Sequence, residues 1–227
     1  MERMPIVKSA KRKGVCDDKM NYKWAREQVL RLINQYSVAG STVRESYNNQ
    51  ADYILRIPSL LNDAQVYVAT GPGKMRTITA LDSLERRAMG AWYAYELPED
   101  CWQVCSSGLI RTDGEQLHRY SKYSLLGSNA IAVPKTLDGE MLLEYFRYPA
   151  LLSETPRDED PLDNTLEAQM ALPYYAAALL VMADDSFVYS ALMNEFEAKL
   201  ARMREQPQAQ LTIIEDAYSA AEAEYNG

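Results

Sequence analysis

Hydrophobic residues recur at two different spacings along this chain. From about Asn21 to Val38, the positions Tyr22, Ala25, Val29, Leu32 or Ile33, and Tyr36 repeat every three to four residues. That spacing predicts an amphipathic helix. Asp17 and Asp18 precede it and complement the positive end of its dipole, and Gly40 supplies a stop. A second stripe, Ile54, Ile57, Leu61, Ala64 and Val68, predicts a helix over about Ser46 to Ala69. Pro58 falls inside this stripe, which predicts a kink or a helix in two pieces.

The helical period fails at Thr70. Gly71-Pro72-Gly73 is a turn, and Met75, Thr77 and Thr79 then alternate with Arg76 and Ile78 as in a short strand. The stretch from Leu81 to Tyr95 fits a helix or a strand. "LPEDCWQV" reads as a turn followed by a strand, with Trp102 and Val104 on one face and Cys101, Gln103 and Cys105 on the other. Residues Ser106 to Ser128 are polar and Tyr-containing, which predicts a long loop or hairpin. "NAIAVPKTLDGEMLLEYFRYP" carries the clearest β signal. Asp138-Gly139 marks a hairpin turn between two alternating runs, and Pro134 places the first run at a sheet edge.

An acidic segment, Glu154 to Asp163, then separates this region from a second set of helical signals. Asn164 followed by Glu167 has the spacing of a capping box. It opens a helix from about Thr165 to Ala183 that is apolar nearly all the way round. Asp184-Asp185-Ser186 starts a last helix to about Arg204, with Tyr189, Met193, Phe196, Leu200 and Met203 along one face. Pro207 closes it. The expected fold is therefore mainly α (α+β): an antiparallel bundle of about four helices, with a small β-sheet insertion between the second and third. The body is expected over 20–205 with the insertion at about 74–148, a basic arm over 1–19 and a tail over 206–227. No internal repeat or low-complexity tract interrupts this plan.

Composition narrows the picture. A chain of 227 residues, 47% hydrophobic and 25% charged, suits one sizeable domain or two small ones. The net charge of -8 opposes general nucleic-acid binding at long range. The run "ALPYYAAALLVMADD" from Ala171 is too short for a bilayer, which takes about 20 apolar residues, so it reads as a core helix. Arg3, Lys8, Lys11, Arg12 and Lys13 lack the apolar core of a secretory signal. Cys16, Cys101 and Cys105 form no disulfide framework and suit a reducing cytoplasm; one pair does not complete a zinc site.

Catalytic signals are sparse. His118 is the only histidine. Gly-x-Ser-x-Gly, His-Glu-x-x-His and Cys-x-x-Cys are missing. "TGPGKM" places Gly71 and Gly73 too close together for a phosphate-binding loop. Asp158, Glu159, Asp160 and Asp163 lack the glycine and terminal Glu of a calcium loop. No enzyme, cofactor or metal is expected. The 16 tyrosines against 3 phenylalanines suit a surface that assembles with protein.

The order of features carries a resemblance. Asn49, Ala51, Ile54 and Leu61 are followed by "LPEDCWQV", "EYFRYPALL", "LPYYAAALLVMADD" and "VYSALMNEFEAKLARM". This succession, over about Asn21 to Arg204, resembles the head–tail connector, or adaptor, proteins of tailed bacteriophages. The β region between Gly71 and Tyr148 is longer than in minimal versions. The resemblance implies a structural protein of the virion neck, assembled in the host bacterial cytoplasm. It implies a homo-oligomeric ring, usually of twelve copies, beneath the portal protein at the portal vertex. That ring would extend the DNA channel and provide the platform for tail or tail-nozzle proteins. DNA would pass without specific binding, and no membrane or catalysis is involved. The C-terminal segment would reach the portal through Leu211, Ile213, Ile214 and Tyr218. Lys11, Arg12 and Lys13 would contact DNA or an acidic neighbour, or remain solvated. Two other readings stay open: another neck component, such as a stopper, tail-completion or tail-tube protein, which leans on β sandwiches or barrels; and a small enzyme with an unrecognised site.

Overall fold

The apolar run at Ala171 forms a helix that other helices surround. The computed structural model describes residues 20–33, 48–112, 116–137 and 139–205. Its helices are α1 (Tyr22–Leu32), α2 (Asn48–Thr70), α3 (Leu166–Gln169), α4 (Leu172–Val181) and α5 (Ser186–Glu205). Helix α4 packs against α1, α2 and α5. Ala176, Ala177 and Ala178 are fully buried, and their small side chains let the neighbouring helices approach closely. Ile57, Leu61, Ala64 and Val68 from α2 meet Phe196 and Leu200 from α5 and Val29 and Leu30 from α1 in one apolar core.

Local signals set the helix ends. Asn21 caps α1 by accepting the Trp24 N–H at 2.9 Å. Asp185 caps α5 by accepting the N–H groups of Phe187 and Val188, both at 3.0 Å. The expected single helix from Thr165 is in fact α3 and α4, with Pro173 in the first turn of α4. Thr165, not Asn164, caps α3; the Asn164 side chain turns inward and donates to the Gln65 carbonyl. Helix α2 runs from Asn48 to Thr70 as one element with Pro58 inside it.

Between α2 and α3 the chain builds β1 (Met75–Ala80), β2 (Arg86–Met89), β3 (Trp92–Glu96), β4 (Cys101–Thr112), β5 (Leu117–Tyr120), β6 (Ser124–Leu126), β7 (Ala130–Pro134) and β8 (Glu140–Arg147). These strands form two antiparallel sheets, ordered β1-β8-β4-β5 and β2-β3-β7-β6. Leu109, Met141, Leu143 and Tyr145 of the first sheet share a core with Tyr95, Ile131 and Val133 of the second. The two sheets therefore pack face to face.

This corrects the expected fold class. The protein is not a helix bundle with a small insertion. It is an α+β protein with a substantial β-sheet core beside a helical one. Residues 81–95 and 106–128 caused the error: their period was ambiguous or polar, yet they supply β2, β3, β5 and β6 and the second half of β4.

Two local expectations also change. β7 and β8 do not pair as the expected hairpin, because β7 pairs with β3 and β6 while β8 pairs with β1 and β4; Asp138 itself lies outside the described residues. The segment crosses from one sheet to the other, and Gly139 takes φ 98° where a side chain would be strained. Strand β7 is also interior, despite Pro134. The Lys135 N–H bonds toward β3, to the Ala91 carbonyl. By alternation the Pro134 nitrogen faces the β6 side, where pairing already stops at Ala132, so no ladder bond is lost.

Polar side chains join the two cores, whose buried apolar residues form separate clusters. Asp163 accepts both terminal nitrogens of Arg147, at 2.6 and 2.8 Å, and the Ala150 N–H at 2.8 Å. Buried Gln65 accepts the Asp163 N–H at 2.9 Å and donates to Asn62 at 3.1 Å. Asn62 in turn exchanges two bonds with the backbone of Leu152, at 2.9 and 2.8 Å. Gln169, also buried, accepts the Met20 N–H and donates to the carbonyls of Leu162 and Asn164.

Three substitutions test this packing. Phe196→Ala should cost about 3–5 kcal/mol in urea unfolding, because Phe196 is fully buried. Phe187→Ser, at a side chain 82% exposed, should stay within about 0.5 kcal/mol. Asp163→Ala should cost about 2–3 kcal/mol by the same measurement, since it removes the carboxylate that pairs with the Arg147 guanidinium.

Candidate functional site

The outer face of the first sheet gathers aromatic rings and cations. Arg76 lies opposite Phe146 on β8, and residues directly opposite in an antiparallel pair share a face. Phe146 meets Trp102 edge-on at 6.2 Å. The Lys74 ammonium sits over both rings, at 5.1 Å from Trp102 and 5.0 Å from Phe146. Arg76 reaches past Phe146 to Glu144 at 3.0 Å, and the Glu144 side chain is 1% exposed. A carboxylate this deep is tolerable only with its charge matched, so the pair acts as structure.

Strand β4 shapes this face by leaving regular pairing twice. It spends two positions, Cys101 to Gln103, against one on β8, and five, Val104 to Leu109, against two. These bulges undo the expected alternation. Cys101 and Val104 both pack toward the inter-sheet core, while Trp102 lies against Phe146. Gly108 turns the second bulge at φ 55° beneath the Tyr123 ring, where a side chain would collide with the Tyr123 hydroxyl.

Burial pushes the Cys105 thiol up to about 11, with the Glu144 charge adding to it. Burial and Asp100 push Cys101 up to about 11. Tyr145 rises to about 12, first through burial and then through its hydrogen bond to Asp100 at 3.1 Å. Such thiols stay protonated and poorly nucleophilic near neutral pH.

A groove of about 530 Å³ opens at one side of the sandwich, lined by Ser106, Arg119, Tyr120, Ser121, Tyr123 and Leu125. It lies beside β5 and β6, a terminal strand of each sheet among the described residues. No family model matches this chain, and no match was found among curated proteins.

Lys11, Arg12, Lys13, Leu211, Ile213, Ile214 and Tyr218 lie outside the described residues. His118 is half-buried on β5, opposite Arg111. The acidic segment is tied up in ion pairs: Asp158 with Arg26 at 2.9 Å, Asp160 with Arg157 at 3.2 Å and Asp163 with Arg147. Among the described residues, no group of three or more His, Cys, Asp or Glu side chains could hold a metal ion. No helix there is long and apolar enough to cross a membrane. Sequence reasoning missed the groove, which comes mostly from the stretch read as a polar loop. Its signal was the pair Tyr120 and Tyr123 interleaved with Arg119 and Lys122.

Large apolar side chains stand out on both parts of the molecule. On the helical side, Phe187 is 82% exposed, Leu55 76% and Met182 55%; on the sheet side, Leu125 is 53% exposed and Leu117 40%.

The thiols give a pH prediction. In a Cys16→Ser background, Cys101 and Cys105 should react with a disulfide reagent much more slowly at pH 8 in the folded protein than in urea. The folded rate should climb as pH approaches about 11. Because both folded values are raised, their contribution to stability is present below about pH 9 and lost as pH rises through about 11.

Proposed function

We propose that the protein is a structural subunit of a tailed-bacteriophage neck, the head-to-tail adaptor that forms a ring under the portal. The observation that carries this reading is the exposure of Phe187, Leu55 and Met182 at the helical side, since large apolar groups left in water on a folded subunit mark association surfaces. Burying each such side chain contributes about 1.5–3 kcal/mol. In a closed ring every copy repeats the contact, so a modest pairwise affinity is multiplied. The net charge of -8 suits a channel wall along which DNA slides without adhering. The order of motifs supports the same assignment: "LPEDCWQV" leads into β4, "EYFRYPALL" ends β8, and the two late motifs form α4 and α5.

The face-to-face sheets favour a second reading within the same particle, a stopper or tail-completion ring. Position separates the two. An adaptor touches the portal directly, whereas a stopper or tail-completion protein lies further from the capsid.

Mass photometry and negative-stain microscopy of the purified chain should show rings, and labelling of intact virions should place it at the portal vertex. Phe187→Ser should weaken ring formation while leaving the fold intact. A protein that stays monomeric at all concentrations and is missing from virions overturns the proposal.

A further inference from the structure

Helices α4 and α5 meet at a short corner that leaves large apolar side chains in water. Met182 is 55% exposed and Phe187 82%, and the four residues between them are exposed as well. The corner is held in place from both sides. The Asp184 and Asp185 N–H groups donate to the Val181 carbonyl at 3.0 and 2.9 Å. Asp185 accepts the N–H groups of Phe187 and Val188 through Oδ1, and Asp184 accepts the Tyr53 hydroxyl of α2 at 3.2 Å. Asp52, next to Tyr53 in the chain, adds its charge at that hydroxyl. Among the described residues no cation pairs with Asp184 or Asp185. A partner for this corner must therefore bring apolar side chains together with positive charge.

One segment of the same chain has that chemistry. Residues 3–13 contain Arg3, Lys8, Lys11, Arg12 and Lys13 and no carboxylate, with Met4, Ile6 and Val7 among them. The other end of the chain has the wrong sign: residues 206–227 contain Glu215, Asp216, Glu222 and Glu224 and no Lys or Arg. Reach is sufficient too. The basic arm joins the body at Met20, whose N–H donates to Gln169 ahead of α4, whereas the corner follows α4, a helix about 15 Å long. Residues 1–19 span up to about 60 Å when extended, enough to leave one subunit and meet the corner of the next.

We propose that the corner at Met182–Phe187 receives the basic arm, residues 1–19, of a neighbouring copy of this chain. Met4, Ile6 and Val7 cover Phe187 and Met182, while Lys11, Arg12 and Lys13 meet Asp184, Asp185 and Asp52. Apolar cover supplies the affinity, and charge selects the arm over the acidic tail. The proposal rests on the oligomeric reading above and names what covers Phe187 in it.

Full-length Ser9→Cys and full-length Ser186→Cys chains, each also carrying Cys16→Ser and only one of them tagged, are mixed and oxidised. A disulfide-linked dimer should form between the two variants. Its yield should fall about tenfold when Asp52→Lys and Asp184→Lys are added to the corner chain. It should recover when Lys11→Glu, Arg12→Glu and Lys13→Glu are placed in the arm chain. Far-ultraviolet circular dichroism of each variant confirms folding. A mixed dimer no more abundant than that from Ser9→Cys with a Met89→Cys control, or one indifferent to charge reversal, overturns the proposal. So does a chain carrying both Ser9→Cys and Ser186→Cys that links only within itself, or an arm that binds duplex DNA and gives no mixed dimer. Mass photometry scores rings separately. Rings without the cross-link sink this assignment alone, and the cross-link without rings sinks the neck reading alone.

Discussion

The Asp163 carboxylate accepts both terminal nitrogens of Arg147 and the Ala150 N–H, and through these bonds the last strand of the sandwich is held to the helical core. The two apolar clusters are separate. Hydrophobic burial therefore stabilises each core without fixing how they meet, because it has no direction. Hydrogen bonds do have direction, and here they come from side chains that burial makes demanding. Gln65 is fully buried and Gln169 nearly so. Each would cost about 1–3 kcal/mol if left unpaired. Their partners include Leu162, Asp163 and Asn164, on the chain between β8 and α3, and Met20 just before α1, so satisfying them fixes where those segments run.

That junction shapes what the molecule offers to others. The helical part presents Phe187, Leu55 and Met182 to solvent, and the sheet part presents Leu125, Leu117 and a groove lined by Arg119, Tyr120 and Tyr123. A subunit of a closed ring needs two different surfaces held at a fixed angle, because the angle decides whether the ring closes. A junction of directional bonds meets that requirement better than a greasy one. The pair Arg76–Glu144 serves a similar end within the sandwich. It anchors β1 to β8 across the sheet's outer face, while the bulges of β4 bring Trp102 onto Phe146 and raise Gly108 beneath Tyr123.

Residue spacing alone revealed α1, α2 and α5, the turn at Gly71 to Gly73 and the burial of the run at Ala171. Each of these depends on neighbours three to five residues apart. The tail's chemistry was legible in the same way, as composition. The groove was not, since Ser106 and Tyr123 become neighbours only after β4 bulges and β5 folds back.

Strand partnership was decided only by the tertiary structure. An alternating run such as the one ending at Pro134 specifies that it will pair, but any strand with a matching face can satisfy it. The turn signal at Asp138-Gly139 favoured the next run in sequence. The sandwich instead sent β7 and β8 to opposite sheets, because burying both inner faces outweighs the convenience of a short turn. The helices were written into the sequence because their bonds are local. The sheets, the buried carboxylate and the groove were not, because their bonds join residues that only the folded chain brings together.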